Sequence, residues 1–344
     1  MSGRNYTDEK NAEQLIGHIG FGELVKVEAS TEKKVLITGA GSYIGETFRV
    51  YASKNYPALH IEVVDMLEAT WREKDFSSYD IVYHVAGIAH TDVGNVDDVT
   101  KEKYYAVNTD LAIEVARKCK EEGVKEFIFM SSMIIYGDSA PLGVKKVVDE
   151  HTVPKAANFY GDSKLQADVA VRDLVDEKFK VIVLRPPMIY GKGSKGNYPT
   201  LAKLAKKLPV FPDVDNERSM LHIDNLCEFL CQVMLCSAAG ESESGAGRHN
   251  AVVLIPQNAE WTKTSEMVRE IGTVAGKKVR TVGIFNPVVW LGSKMPGKIG
   301  RLVNKAFGNS AYAQSMSVYE GINYQKVDLK ESIKRTEGNI CDGN

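Results

Sequence analysis

The sequence predicts an α/β fold, a doubly wound parallel sheet with a smaller C-terminal lobe. Two observations carry that expectation. Short apolar runs alternate with helical stretches through residues 34–184, which implies right-handed crossovers between parallel strands. One of those runs also passes straight into a glycine-rich turn that opens a helix.

Taken in order, residues 1–30 read as an extension with a short helix around Asn11–Ile19 and no recognisable chemistry. Lys34–Thr38 (KVLIT) is a buried strand, followed by the glycine turn and a helix over Gly45–Lys54. His60–Val64 and Ile81–Val85 are the second and third strands. A helix over Lys103–Glu121 leads to strand Glu126–Met130, and a helix over Phe159–Val175 leads to strand Val181–Leu184. From about Gly191 the pattern loosens. We therefore expect a dinucleotide-type sheet domain over 31–190, to which part of 220–260 returns, and a lobe formed mainly by 191–344 that closes over the carboxyl edge of the sheet. The segment 240–248 (GESESGAGR) reads as a solvated loop.

The formal net charge of −2, from 43 basic and 45 acidic residues, gives no electrostatic case for nucleic acid or an anionic membrane. No basic segment leads into an apolar run at the N-terminus, so no secretory signal is expected there. No stretch approaches the ~18 apolar residues of a spanning helix. Residues 285–305 mix apolar and basic side chains and could lie on a membrane, but two prolines interrupt them. Packing inside the small lobe explains them as well, and no membrane partner is expected. Cys227, Cys231 and Cys236 share one apolar helical stretch without a CxxC pair or spaced histidines. With Cys119 and Cys341 they read as small hydrophobes of a reducing cytoplasm, with no metal.

The cofactor end is Gly39-Ala40-Gly41-Ser42-Tyr43-Ile44-Gly45. Glycines let a backbone approach a pyrophosphate, and a helix N-terminus offers free N–H groups and a positive dipole end. Asp65, 20 positions after Gly45 at the end of the second strand, would accept from both ribose hydroxyls of an adenosine. A 2′-phosphate would meet a like charge there, so NAD is expected rather than NADP. Ala86 and Gly87 add a small-residue surface after the third strand, and His84 beside them reads as a hydrogen-bonded core or rim residue, as does His90.

Tyr160 and Lys164 stand four apart, on one face of a helix. An ammonium favours the phenolate, so the pair can serve as acid and base, although this spacing also occurs on ordinary solvated helices. Ser131 and Ser132 close the fourth strand, where a hydroxyl can bond an oxygen passing between alcohol and ketone.

In this order and spacing, TGAGSYIG, HVAG, SSMIIYG, YGDSK, LRPPMIYG and RSMLHIDN resemble the extended short-chain dehydrogenase/reductases. Among these they resemble the UDP-glucose 4-epimerase group of the NAD-dependent epimerase/dehydratase family, whose sheet is a Rossmann sheet. The likeness covers about residues 34–230. It implies Tyr160 as acid/base, Lys164 as its activator and ribose anchor, and Ser132 as the catalytic hydroxyl. Gly39, Ser42 and Gly45 match the three spaced glycines, and Tyr43, Ile44, Asp65, Ala86 and Gly87 complete the cofactor site. Asn108, Asn197 and Arg218 stand at substrate-side positions, the last two near the nucleotide diphosphate, and a homodimer through helices bearing Leu111–Ala116 and Tyr160–Val171 is implied.

Three departures from the family pattern matter. Ser42 replaces a glycine, which a turn tolerates only where no positive φ is needed. Met133-Ile134 stands in place of the acidic pair of the sugar 4,6-dehydratases, which disfavours dehydration. Met188 occupies the position of an asparagine in many 4-epimerases, and the surrounding wording is similar to that of reductases of 4-keto UDP-N-acetylhexosamines. The expected activity is C4 epimerisation of a UDP-sugar. The alternatives are an NAD(P)H-dependent 4-keto nucleotide-sugar reductase and a non-catalytic nucleotide sensor on the same fold.

Overall fold

The computed structural model describes residues 12–19, 24–26, 32–89, 96–238 and 251–338. The expectations for 240–248, His90 and Cys341 lie outside the described residues. Seven parallel strands form the central sheet: β1 His18–Ile19, β2 Lys33–Thr38, β3 Leu59–Val64, β4 Ile81–His84, β5 Glu126–Met130, β6 Lys180–Leu184 and β7 Val252–Leu254. Their spatial order is β3-β2-β4-β5-β6-β7-β1, with registers such as Val35 beside Ile81 and Phe127 beside Val181. The chain reverses direction across the sheet between β2 and β4, which opens a crevice at their carboxyl ends.

Both faces of the sheet are buried, which is why its strands read as unbroken apolar runs. Leu36, Val82, Phe127, Phe129 and Val183 point to one face, packed under helices α4 (Leu111–Glu121) and α5 (Phe159–Arg172). Val35, Ile37, Tyr83, Ile128 and Leu184 point to the other, packed under α2 (Tyr43–Asn55) and α7 (Ile223–Leu235). Cys227 and Cys231 lie in this second cluster, where burial pushes their thiols up. Cys119 is buried in the first.

A third cluster brings together Tyr190, Tyr198, Ala205, Phe211, Met220, Val268, Ile271 and Phe307. It is built by α6 (Asn197–Lys207), α8 (Thr264–Val274), α10 (Lys298–Phe307) and short strands such as Met188–Tyr190 paired with Met220–His222.

Three features differ from the sequence reading. The N-terminal segment forms its expected short helix, α1 over Ala12–Ile16, but is more than an extension. Positive-φ Gly17 then turns the chain so that β1 joins the sheet edge beside β7. The helix expected over Lys103–Glu121 starts at Asp98, where the Asp97 carboxylate accepts from the Thr100 N–H. It runs as α3 (Asp98–Tyr105) through a π-helical turn at Ala106–Asp110 into α4.

The third difference is in 285–305. Here the chain forms α9 (Asn286–Lys294) and α10, which bury Ser293 and Phe307 and leave Val288, Trp290, Leu291, Ile299 and Leu302 exposed. Packing against the third cluster therefore does not account for these side chains.

Candidate active site

The glycine turn between β2 and α2 hangs on the neighbouring strand. Gly39 and Ala40 both donate to the Val64 carbonyl, at 3.0 and 3.2 Å, which brings Asp65 alongside the turn. Gly39 adopts φ +121°, and a Cβ there would stand 2.9 Å from the backbone nitrogen of Ala86, so only glycine fits between β2 and β4. Gly41 takes φ +71° and has open space where a Cβ would project. Ser42 has φ −71° and ψ 137°, and its hydroxyl caps α2 by accepting from the Gly45 N–H at 3.2 Å. The left-handed position falls on Gly41 and not on Ser42, so the serine is accommodated without strain.

Tyr43 and Ile44 head the helix with N–H groups that have no intrahelical acceptor. The Tyr43 phenol is buried against Gly191 with no hydrogen-bond partner among the described residues. Asp65 is exposed, its carboxylate accepting from the Leu67 N–H at 2.9 Å. An open glycine face, a helix N-terminus and a carboxylate at the next strand end together fit a dinucleotide.

On the other side of the crevice, Val85 and Ala86 donate to the Thr38 carbonyl. A Cβ on Gly87 would lie 3.1 Å from both the Lys164 ammonium and the Asn108 amide oxygen. Lys164 is buried beneath it, donating to the Met130 carbonyl at 3.0 Å over the face of Phe129. Burial lowers its pKa to about 8, against the upward pull of Asp168. His84 is buried with Nδ1 2.7 Å from the Thr38 hydroxyl, and burial lowers it to about 3, so it is neutral.

Tyr160 enters from α5. Asn158 caps that helix, and Gly161 lets it approach the turn after β5, where a Cβ would stand 2.9 Å from the Ile134 carbonyl oxygen. The phenol is pushed up to about 12 by burial and by Tyr104, which meets its ring edge-on at 5.8 Å, while a hydrogen bond with Ser132 pulls it down. The Lys164 ammonium, one helical turn on from Tyr160, is held on the strand backbone.

The two adjacent serines separate in role. Ser132 begins the turn Met133–Tyr136 with its hydroxyl on the Tyr160 side. Ser131 is buried and donates to Asp168 at 2.8 Å. Asn108, in the π turn, is fully buried. Its amide oxygen accepts from the Ile88 N–H, and its nitrogen donates to the Ile88 carbonyl and the Ser163 hydroxyl. Its geometry is that of a positioning residue, holding the segment after β4 against α5.

Asn197 and Arg218 are brought together. Both line a cavity of about 210 Å³ with Met188, Met267, Leu302 and Lys305. One Arg218 nitrogen donates to the carbonyls of Lys305 and Gly308, and burial lowers the guanidinium's pKa.

Behind the site lies a network that the sequence reading misses. Asp168 accepts from Ser131, from Arg172 and twice from Arg185, and its carboxyl is held down at about 2 by the two guanidiniums despite burial. Arg185 also donates to the carbonyls of Leu15 and Ile16, so the N-terminal segment closes the network. The signal is present in the sequence: Lys164, Asp168 and Arg172 stand four apart on an otherwise apolar helix face.

Comparison with known proteins agrees with this architecture. The chain is similar to a UDP-glucose 4-epimerase of Vibrio cholerae, 27% identical over 267 residues that cover 71% of this chain and 76% of the relative. It is also similar to the N-acetyl-alpha-D-glucosaminyl-diphospho-ditrans,octacis-undecaprenol 4-epimerase of Escherichia coli O157:H7, 24% identical over 80% of this chain and 83% of that one. The structure of a Bacillus cereus UDP-glucuronic acid 4-epimerase in complex with NAD matches with a TM-score of 0.63 at 15% identity, over 88% of this chain and 97% of that one, a likeness of fold. The model of the NAD dependent epimerase/dehydratase family matches residues 35–245, more than half of the sequence. This chain belongs to the NAD dependent epimerase/dehydratase family.

Proposed function

We propose that the chain catalyses NAD-dependent epimerisation at C4 of a UDP-sugar, a UDP-hexose or UDP-N-acetylhexosamine, through a 4-keto intermediate. The observation that carries this reading is the convergence of the Tyr160 phenol and the Ser132 hydroxyl beside the crevice where Lys164 lies under Gly87. In this reading the strand-bearing part, with α7 and β7, serves the dinucleotide, and the elements around the third cluster serve the sugar nucleotide.

Gly39, Gly41 and the N–H groups of Tyr43 and Ile44 would hold the pyrophosphate, and Ser42 would shape their turn. Gly45 and Ala86 keep the crevice narrow, Asp65 would hold the adenosine ribose and Lys164 the nicotinamide ribose. The bound nicotinamide supplies the hydride acceptor and donor that interconvert alcohol and ketone. Tyr160 takes the proton from the C4 hydroxyl and later returns it. Because its phenol stands near 12, it needs the positive charge that assembles around it on binding. Ser132 donates to the C4 oxygen, and Arg218 and Asn197 clamp the diphosphate. A UDP-linked and a lipid-diphosphate-linked sugar offer Arg218 the same diphosphate chemistry.

Met188 favours a second reading. It lines the cavity with Asn197 and Arg218, an apolar group in a pocket that must let a ketone turn over. Net reduction at C4 with NAD(P)H as consumed substrate needs no such turn. The two separate on cofactor stoichiometry. The protein is incubated with UDP-glucose and UDP-N-acetylglucosamine and far less NAD⁺ than sugar, and anomeric protons are followed by NMR. A C4 epimer rising to a constant ratio supports epimerisation. No epimer, with NAD(P)H consumed on adding a 4-keto UDP-sugar, overturns it in favour of the reductase.

A further inference from the structure

Among the described residues, seventeen large hydrophobic side chains are exposed, and eight of them fall between positions 284 and 302. They are not scattered. Val288 and Leu291 lie along one side of α9, with Ile284 in the turn just before it at the same spacing, while Val289 and Ser293 face the protein. Ile299 and Leu302 repeat the pattern on α10, whose Val303 and Phe307 face inward. Trp290 stands 54% exposed beside them, with the Lys294 ammonium 5.7 Å from its ring centre. Isolated exposed hydrophobics need no explanation, but a contiguous set on two adjoining helices does.

Charge identifies the occupant. From Ile271 to Tyr319 the chain has no aspartate or glutamate and seven lysines and arginines. That leaves 36 basic against 45 acidic residues elsewhere, so the near-neutral whole conceals a strongly polarised molecule. Lys294, Arg301 and Lys305 are exposed around the apolar side chains. Apolar side chains that include tryptophan, rimmed by cations on a chain segment without carboxylates, are the composition of a surface that lies in an anionic lipid interface. No described helix is long and apolar enough to cross a membrane, so the contact is peripheral.

We propose that the α9–α10 face docks on an anionic bilayer surface. Leu302 belongs to this face and also lines the cavity that holds Arg218, so the docked surface lies beside the substrate cavity. The proposal stands on exposure and charge and does not depend on which reaction the site performs.

The test is sedimentation of the full chain with vesicles of phosphatidylcholine alone or with about a third phosphatidylglycerol. Wild-type protein is expected to pellet with the anionic vesicles and not the neutral ones, and to be released by raised salt. Val288→Glu with Leu291→Glu should abolish pelleting. Lys294→Gln with Arg301→Gln should weaken it about 25-fold, at roughly fivefold per cation. Both pairs are exposed, so melting temperatures should stay at the wild-type value. Wild-type protein that remains in the supernatant overturns the proposal, as does equal binding to neutral vesicles. So does a wild-type dimer without vesicle binding that Leu291→Glu splits into monomers, which would make the face a subunit interface.

Discussion

Replacing Asp168 with asparagine removes the carboxylate that two buried guanidiniums share. Arg185 is fully buried and donates to it twice, at 2.7 and 2.9 Å, and Arg172 donates at 3.0 Å. The carboxyl stands at about 2 against an ordinary 3.8, so its ionisation alone contributes roughly 2 kcal/mol near neutral pH. The larger effect is the cation left behind. A buried guanidinium that loses its partner costs about 3–5 kcal/mol, and Arg185 has no access to water to recover it. Urea unfolding of Asp168→Asn at pH 7 should therefore show a loss of about 3–5 kcal/mol. The sign of the pH dependence follows from the lowered pKa. The carboxylate's share is complete above about pH 5 and is lost as pH falls toward 2, so the gap between wild type and variant should narrow by pH 3. Replacing all three charged groups, Asp168→Leu with Arg172→Met and Arg185→Met, should recover much of the loss, because no buried charge is then stranded. A loss below about 1 kcal/mol for the single variant would refute the reasoning.

Other outcomes follow from the site. Tyr160→Phe should lower kcat about 10²–10⁴-fold while NAD binding, read by fluorescence, stays unchanged. Because burial holds Lys164 at about 8, its charge is lost as pH rises through that value. Cofactor affinity should fall above pH 8 in wild type and lose that dependence in Lys164→Met, as read by titration calorimetry. Gly39→Val forces a side chain against the Ala86 backbone at positive φ, and NAD affinity should drop at least tenfold. Asp65→Ser should shift preference toward NADP, measured as the ratio of the two dissociation constants.

The parts legible in the sequence are those with a local signature. Strands β2, β4 and β5 are buried on both faces, so an apolar run fixes each to within one residue. The glycine turn and the Tyr160–Lys164 spacing are legible because the backbone and the helix face impose them. By contrast, β1 and β7 have two and three residues, too few to show a period. The docking of Leu15 and Ile16 on Arg185 uses backbone carbonyls, which any residue offers, so the role of the N-terminal segment leaves no trace in side chains. The cavity draws Met188, Asn197, Arg218 and Leu302 from four separate segments, and only the fold brings them together. The resemblance to the family names Asn197 and Arg218, but the burial of Asn108 and the exposure of the apolar side chains of α9–α10 emerge only in three dimensions.

The central claim is that one hydride leaves C4 and returns to it. The direct measurement supplies UDP-glucose and UDP-N-acetylglucosamine, each deuterated at C4, in ordinary water with NAD⁺ far below the sugar concentration. The account predicts many turnovers of at least one sugar into its C4 epimer with deuterium retained at C4. An epimer that has lost its deuterium to solvent, or no epimer from either sugar, would contradict it.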